Sequence, residues 1–209
     1  MNEDRPKVIA HAGVIGSGKG HRSAALVREH GFVQVNFKDA LVVMCSDLLG
    51  YDVASEYDWF KESIAGARKP ANPLAEQNLR AEMRDLLARN PEIVTGRKLL
   101  QRLGTDVMRK RDPLYWVDQW RARAVDAILS GLSVTCDDCR FENEFDAVLQ
   151  DLYPHRAQVI FADYHSDRYD ATSDHDSEKM AQALLCLGLK DGDHVTVEHL
   201  RSIPIRERR

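Results

Sequence analysis

A glycine-rich segment, GVIGSGKGH (13–21), lies between an apolar run and a stretch with helical periodicity. The apolar run KVIAHAG (7–13) predicts a β-strand, and HRSAALVREHG (21–31) predicts a helix that ends near Gly31. In such a turn the backbone N–H groups and the helix N-terminus converge on phosphate, and Lys19 adds a positive charge. This feature constrains the fold strongly, because it requires a strand and a helix to meet at the loop.

The loop follows most of the Walker A pattern, since Gly13, Gly18 and Lys19 occupy the expected positions. The next position normally carries a Ser or Thr that helps to hold Mg²⁺, and here it carries Gly20. Adenylate-kinase-like loops place their Thr one residue later, where this chain has His21. A neutral imidazole is a poor ligand for Mg²⁺, so water would fill the missing position. We predict a phosphate site formed by Gly13, Gly16, Ser17, Gly18, Lys19, Gly20 and His21.

Four further apolar runs follow the first, and helical patterns separate several of them. They are FVQVNF (32–37), LSVTCDD (132–138), AQVIFADY (157–164) and HVTVEHL (194–200). Between the second and third runs, residues 73–90, 95–111 and 114–131 have helical periodicity. We therefore predict a three-layer α/β fold of the P-loop NTPase type, with a five-stranded parallel sheet. Its 209 residues suit a single domain with a helical, acceptor-binding insertion at about 40–130.

Composition limits the classes of function. A net charge of −4 and a pI near 6.1 argue against a protein that coats nucleic acid non-specifically. The apolar stretches are too short to span a bilayer, and the start of the sequence, MNEDRPK, does not resemble a signal peptide. Four cysteines without framework spacing fit a reducing compartment. The expected location is the cytoplasm, with no membrane partner.

The segment VTCDDCRFENE (134–144) places acidic residues at the end of the third strand, where P-loop proteins keep a carboxylate beside phosphate and metal. The two-residue period of a strand lets either Asp137 or Asp138 face that site. Arg140 could bind a substrate phosphate, or could pair with Glu144 one helical turn later.

The same segment contains a CxxC pair, Cys136 and Cys139. A redox pair and half of a zinc site are both compatible with that spacing. Because no second ligand pair completes a zinc site, the sequence favours buried cysteines at the end of a strand.

Two other segments carry residues suited to a nucleotide. In GRKLLQRLGTDVMRKRDPLYWVDQW (96–120), Arg97 and Gln101 share a helix face, and Gly104 permits close approach of a ligand or backbone. Arg109 and Trp116 add a cation and an indole for stacking, although Trp116 and Trp120 could equally be core residues. The polar segment 163–180 predicts a lid-like loop that contains Arg168.

These motifs together resemble the phage deoxynucleoside monophosphate kinases, typified by the T-even enzyme. RKLLQRLGTDVMRKRDPLYWV (97–117) is similar to that family's most specific block, and DDCRFENE (137–144) to its strand-end Asp, Arg and Glu. NFKDAL (36–41) and HDSE (175–178) are similar to two further stretches. The resemblance spans most of the chain in the right order.

The resemblance implies a P-loop kinase that uses ATP and Mg²⁺ to phosphorylate a deoxynucleoside monophosphate, in the cytoplasm of an infected host if the chain is phage-encoded. It implies catalytic roles for Lys19, Asp138, Arg140 and Arg168, with Asp138 beside the metal. Related kinases are often homodimers. The implied acceptor-binding residues are Lys38, Arg97, Gln101, Gly104, Thr105, Trp116, Arg140 and Glu144.

Two positions depart from the family pattern, and they keep two alternatives open. His21 replaces a hydroxyl residue, and Tyr164–His165 stand where the family has Arg-Pro before its lid. One alternative is a nucleotide-binding protein without turnover. The other is a P-loop kinase that phosphorylates 5-hydroxymethyluracil in phage DNA, for which RKR (109–111) and RERR (206–209) would supply a basic groove.

Overall fold

The computed structural model of the chain describes residues 5–49, 89, 100, 102–152, 156–163 and 176–204. The chain divides into two compact units. The first consists of residues 1–36 and 124–209, and the second of residues 37–123. The prediction of one domain with an insertion at about 40–130 stays a prediction.

The first unit is built on a five-stranded sheet with the strand order β2-β3-β1-β4-β5. The strands are β1 (Val8–Ala12), β2 (Val33–Gln34), β3 (Val134–Cys136), β4 (Ala157–Phe161) and β5 (His194–Val195). Strand β1 lies between β3 and β4 and runs parallel to both, and β2 runs parallel to β3. The α/β class and the five strands are therefore confirmed.

The prediction that all five strands are parallel is wrong, because β5 runs antiparallel to β4. A parallel neighbour would need a crossover that returns the chain to the start of β4. Instead the N–H of Gly192 donates to the carbonyl of Phe161 at 2.8 Å, so the chain re-enters the sheet beside the C-terminal end of β4. From that point it can only run backwards along β4.

The fifth predicted strand (194–200) is also too long, because a helix begins at its fourth residue. The hydroxyl of Thr196 accepts from the N–H of His199 at 3.3 Å, and Nδ1 of His199 accepts from the N–H of Thr196 at 3.1 Å. This reciprocal cap has the logic of a capping box and starts a helix at Val197. The apolar alternation of HVTVEHL indicated a strand, and the local cap overrides it.

The helices of the first unit cover the sheet. They are α1 (Lys19–His30), the end of α3 (Tyr115–Leu129), α4 (Glu142–Asp146) with a following π-helical turn (Ala147–Asp151), α5 (Asp176–Cys186) and α6 (Val197–Ser202). Helix α1 ends as predicted, since Gly31 adopts a left-handed φ of 68° and its N–H bonds back to the helix. Ser23 of α1 is fully buried, and its hydroxyl lies 3.1 Å from that of Thr135 in β3.

The second unit contains α2 (Asp39–Leu49), a π-helix (Arg102–Arg109) and the first part of α3. Helix α3 confirms the helix predicted over 114–131, and the π-helix confirms helical structure within 95–111. The helix predicted over 73–90 lies outside the described residues, except for Arg89. The buried apolar cluster of this unit consists of Leu41, Met44, Cys45, Leu103, Met108 and Trp116.

Candidate functional site

The glycine-rich loop connects β1 to α1, as the sequence predicts, and its glycines have distinct structural reasons. A Cβ on Gly13 would lie 2.2 Å from the carbonyl oxygen of Ala162, so only glycine fits beside the end of β4. Gly18 adopts a left-handed φ of 82° at the N-cap of α1, where a larger residue would be strained. Both glycines therefore shape a tight loop at the N-terminus of a twelve-residue helix.

Lys19 folds back over this loop. Its Nζ donates to the carbonyl oxygens of Gly13 at 2.7 Å and Val14 at 2.6 Å, and lies 3.3 Å from Oγ of Ser17. The side chain is only 6% exposed. An ammonium group has three N–H donors, and the loop supplies an acceptor for each. The positive charge is thus held inside the loop, and Nζ could bind an anion if it exchanged one of these three acceptors for it.

Of the two adjacent aspartates, Asp137 lies beside the start of α1. A Cβ built on Gly20 would be 3.4 Å from Oδ2 of Asp137. That oxygen also accepts from Nε2 of Gln34 at 3.0 Å, and the N–H of Asp137 donates to Oδ1 of Asn36 at 3.0 Å. Thr135, two residues earlier in β3, also contacts α1, because its hydroxyl lies 3.1 Å from that of Ser23.

Asp138 is also buried and contacts a neighbouring thiol. Its Oδ1 accepts from the thiol of Cys136 at 3.0 Å. Burial, with a further contribution from the charge of Asp138, raises the pKa of the Cys136 thiol well above its usual range, so the thiol keeps the proton that it donates. The resemblance implies that Asp138 lies beside the metal, and that stays a prediction; the structure places Oδ2 of Asp137 close to Gly20 of the loop.

Neither cysteine of the CxxC pair forms a disulfide in the described structure, and both are buried. This confirms the interpretation of Cys136 and Cys139 as buried cysteines at the end of a strand. Among the described residues, no group of three or more His, Cys, Asp or Glu side chains is placed to hold a metal ion. His21 is exposed on the first turn of α1, as is Gly20.

Arg140 is tied to the loop through a residue that the sequence reasoning did not single out. Nη1 of Arg140 donates to Oε1 of Glu178 at 2.7 Å, and Oε2 of Glu178 accepts the N–H of Ile15 at 2.9 Å. Glu178 belongs to α5, and its side chain is 3% exposed. Its signal in the sequence was the HDSE stretch, which was used for the resemblance and given no role.

Glu144 acts on the backbone beside Arg140. Its Oε2 accepts from the N–H of Arg140 at 2.7 Å and from that of Phe141 at 3.1 Å. The carboxylate is almost completely buried and caps the start of α4. In the described structure, Glu144 thus fixes the backbone of Arg140, while Glu178 holds its guanidinium.

A second residue absent from the sequence predictions is His11 in β1, two positions before the loop. It is 2% exposed, and neither ring nitrogen has a hydrogen-bond partner among the described residues. Burial lowers the pKa of His11 from 6.5 to about 4, the charges of Arg22 and Lys19 act in the same direction, and Asp137 opposes them. The only signal in the sequence was a polar residue inside an apolar strand.

Of the predicted acceptor residues that the structure describes, Arg140 and Glu144 lie in the first unit, and Lys38, Gly104, Thr105 and Trp116 lie in the second. Gly104 and Trp116 are core residues. Trp116 is 2% exposed, and its Nε1 donates to the carbonyl of Gly104 at 3.1 Å. A Cβ on Gly104 would lie 2.6 Å from Cδ2 of Leu41, so this glycine serves close packing of the π-helix on α2. The alternative of a core tryptophan therefore fits the described arrangement, and its indole is not presented for stacking.

Two of the other acceptor residues are described, and two are not. Lys38 and Thr105 are partly exposed, Lys38 just before α2 and Thr105 in the π-helix. Arg97, Gln101 and Arg168 lie outside the described residues, as do Tyr164–His165 and most of the predicted lid at 163–180. The structure also shows a buried ion pair that the sequence reasoning missed, in which Arg123 donates to Asp39 at 2.7 Å.

Comparison with known protein families found no family that matches this chain, and comparison with curated proteins found no matching relative. Across the described ranges, no helix has both the length and the apolar character needed to cross a membrane.

Proposed function

We propose that this chain is a P-loop kinase that transfers the γ-phosphoryl group of ATP to a deoxynucleoside monophosphate. The observation that carries the proposal is the junction at Glu178, which joins a backbone N–H of the loop to the guanidinium of Arg140. A second cation is thereby held against a loop that already contains Lys19. Two cations at a strand–loop–helix turn are what a phosphate chain requires.

The proposed reaction needs positioning and charge neutralisation more than covalent help from the protein. An oxygen of the acceptor's 5′-phosphate attacks the γ-phosphorus, a new P–O bond forms, and the bond to the β–γ bridging oxygen breaks. ATP and the monophosphate become ADP and a deoxynucleoside diphosphate. The attacking oxygen is already deprotonated near neutral pH, so no general base is required.

Within this proposal, Lys19 and the loop N–H groups bind the ATP phosphates, and Arg140 stabilises negative charge on the transferring group or on the acceptor phosphate. Asp137 suits Mg²⁺, because the ion is usually held by one or two carboxylates, phosphate oxygens and several waters. The ion would neutralise charge on the phosphates. The place of Asp137 beside Gly20 supports this role, although position 20 carries no hydroxyl.

The choice of acceptor rests on the resemblance of residues 97–117 to the phage deoxynucleoside monophosphate kinases. Under the proposal, Arg97, Gln101 and Thr105 bind the acceptor. Trp116 lies in the core of the second unit, where its Nε1 donates to the carbonyl of Gly104, the residue before Thr105.

The test is to incubate the protein with ATP labelled at the γ-phosphate and Mg²⁺, and to offer each deoxynucleoside monophosphate separately. Parallel reactions contain DNA with 5-hydroxymethyluracil, or no acceptor. Label in a deoxynucleoside diphosphate is the expected result. Label in DNA alone would contradict the assigned acceptor, and ATP binding without label in any product would contradict transfer.

A further inference from the structure

We propose that Glu178 is a positioning residue of the phosphate site, which fixes Arg140 at a set distance from the glycine-rich loop. This inference rests on the proposed function and assigns a role to a carboxylate of α5. It predicts that Glu178 acts on phosphate binding and transfer through Arg140.

The geometry of the carboxylate is the first argument. Its two oxygens serve two different elements, with Oε2 on the N–H of Ile15 in the loop and Oε1 on Nη1 of Arg140 after β3. Both bonds are shorter than 3 Å. One rigid, planar group therefore sets the separation between the loop backbone and the guanidinium.

Burial is the second argument, because it makes this bridge a fixed brace. The side chain of Glu178 is 3% exposed, while that of Arg140 is 26% exposed. A buried carboxylate that lost both donors would remain desolvated without compensation, which is costly. The carboxylate therefore stays with its partners, and the more accessible guanidinium is the group that solvent or a phosphate can reach.

The location of the bridge is the third argument. The N–H of Ile15 comes from the same loop whose carbonyls, at Gly13 and Val14, hold Lys19. The first five residues of α5 (176–180) lie within the segment 163–180 that the sequence predicts to be a lid-like loop, and they are helical. Glu178 thus connects the start of α5, the loop with Lys19, and Arg140 at a single carboxylate.

The experiment is a double-mutant cycle of Glu178→Gln and Arg140→Ala in the full-length protein. It measures kcat and KM for transfer to the monophosphate, and Kd for ATP by calorimetry. Glutamine keeps the shape but weakens the charge-assisted bond, so E178Q should lower kcat/KM or weaken ATP binding about 10- to 100-fold. In the R140A background, the same change should cost less than about threefold.

Thermal unfolding checks that each variant is folded, and the exposed Glu198→Gln in α6 is the matched control, expected to be unchanged. If E178Q does not fold, Glu178→Asp carries the same test, because its shorter side chain cannot span both donors. Equal losses from E178Q with and without Arg140 would overturn the positioning role, as would no loss in either background.

The two proposals fail in different ways. A wild-type protein that binds ATP but transfers no phosphoryl group would contradict the kinase function, and the cycle would then be evaluated on Kd alone. Coupling between the two residues in Kd would still support the brace, and its absence would overturn it. Transfer by the wild type without any coupling would overturn the brace and leave the kinase proposal standing.

Discussion

The two compact units differ in the kind of side chain that they bury. Among the described residues, the first unit buries ten polar or charged side chains, and the second buries Asp39 alone, paired with Arg123. The buried polar residues of the first unit are His11, Ser17, Lys19, Ser23, Asn36, Thr135, Asp137, Asp138, Glu144 and Glu178.

This contrast favours the first unit as the location of the phosphate site. Burying polar groups costs stability unless they are hydrogen-bonded, so a concentration of them beside a loop is typical of a functional site. The described part of the second unit, by contrast, packs apolar residues around Gly104 and Trp116. Substitutions in each unit test this difference between buried polar groups and apolar packing.

After Lys19, the two adjacent aspartates give the largest expected effect. Asp137→Asn removes the carboxylate beside Gly20 and should lower kcat about 10²- to 10³-fold, as expected for a group that stabilises charge at the reacting phosphates. Asp138→Asn, which alters a bond to Cys136, should change kcat much less. The measurement is the transfer assay at saturating ATP and Mg²⁺. A larger loss of kcat from Asp138→Asn than from Asp137→Asn would contradict this role for Asp137 and support Asp138 as the carboxylate beside the metal.

His11 predicts a loss of stability in acid. Its pKa is about 4 in the folded chain and near 6.5 when unfolded, so the folded state favours neutral imidazole. The resulting stability is present above pH 6.5 and is lost as the pH falls toward 4, by about 3 kcal/mol at pH 4. Burial is the largest cause of the lowered pKa; the charges of Arg22 and Lys19 lower it further, and that of Asp137 opposes them.

The measurement for His11 is urea unfolding at pH 7 and pH 4, for the wild type and His11→Gln. The variant should lose about 3 kcal/mol less than the wild type over that interval. Comparing the pH dependence, and not the stability at one pH, removes the cost of placing an amide in the core. Equal pH dependence in the two proteins would show that His11 does not titrate as its burial predicts.

Trp116 tests the second unit. Trp116→Phe removes the donor to the buried carbonyl of Gly104 and should lower the free energy of unfolding by about 1–3 kcal/mol. Because the indole is a core residue, KM for the monophosphate should change less than about threefold. Denaturant unfolding and the transfer assay measure both quantities. A tenfold rise in KM with unchanged stability would restore the stacking role that the sequence suggested.

The smallest effect is expected at His21. The imidazole is exposed and is not a good ligand for Mg²⁺, so we expect His21→Thr to change kcat less than about threefold at saturating Mg²⁺. The dependence of the rate on Mg²⁺ concentration is the measurement. A large gain in rate or in Mg²⁺ affinity would show that the wild-type loop lacks a ligand that the reaction needs.

Features that depend on residues close together in the sequence could be predicted, and features that depend on distant residues could not. The loop, its flanking strand and helix, and the end of α1 at Gly31 depend on neighbours within a few residues, and the sequence predicts them. The direction of β5 depends on where the chain re-enters the sheet, which no local pattern encodes. The short helix after Thr196 was missed because apolar alternation was given more weight than a reciprocal cap.

The candidate site divides in the same manner. The loop positions of Lys19 and the glycines could be predicted, because a strand–loop–helix turn requires these residue types at a fixed spacing. Glu178 lies 163 residues from Ile15 and 38 from Arg140, so only the tertiary fold reveals the bridge. The proximity of Asp137 to Gly20 could not be predicted, because the sequence pattern allows either Asp137 or Asp138 to face the loop. For Trp116 the sequence leaves stacking and core packing both open, because an indole suits either role, and the fold buries it.

The most direct test of the central claim compares the wild type with Lys19→Ala and Lys190→Ala in the γ-phosphate transfer assay. Lys19 is buried within the loop, whereas Lys190 is an exposed lysine of the same unit. The account predicts labelled deoxynucleoside diphosphate from the wild type and Lys190→Ala, and at least about a 10³-fold lower rate from Lys19→Ala. Equal rates from Lys19→Ala and the wild type would contradict the assignment of the phosphate site to this loop.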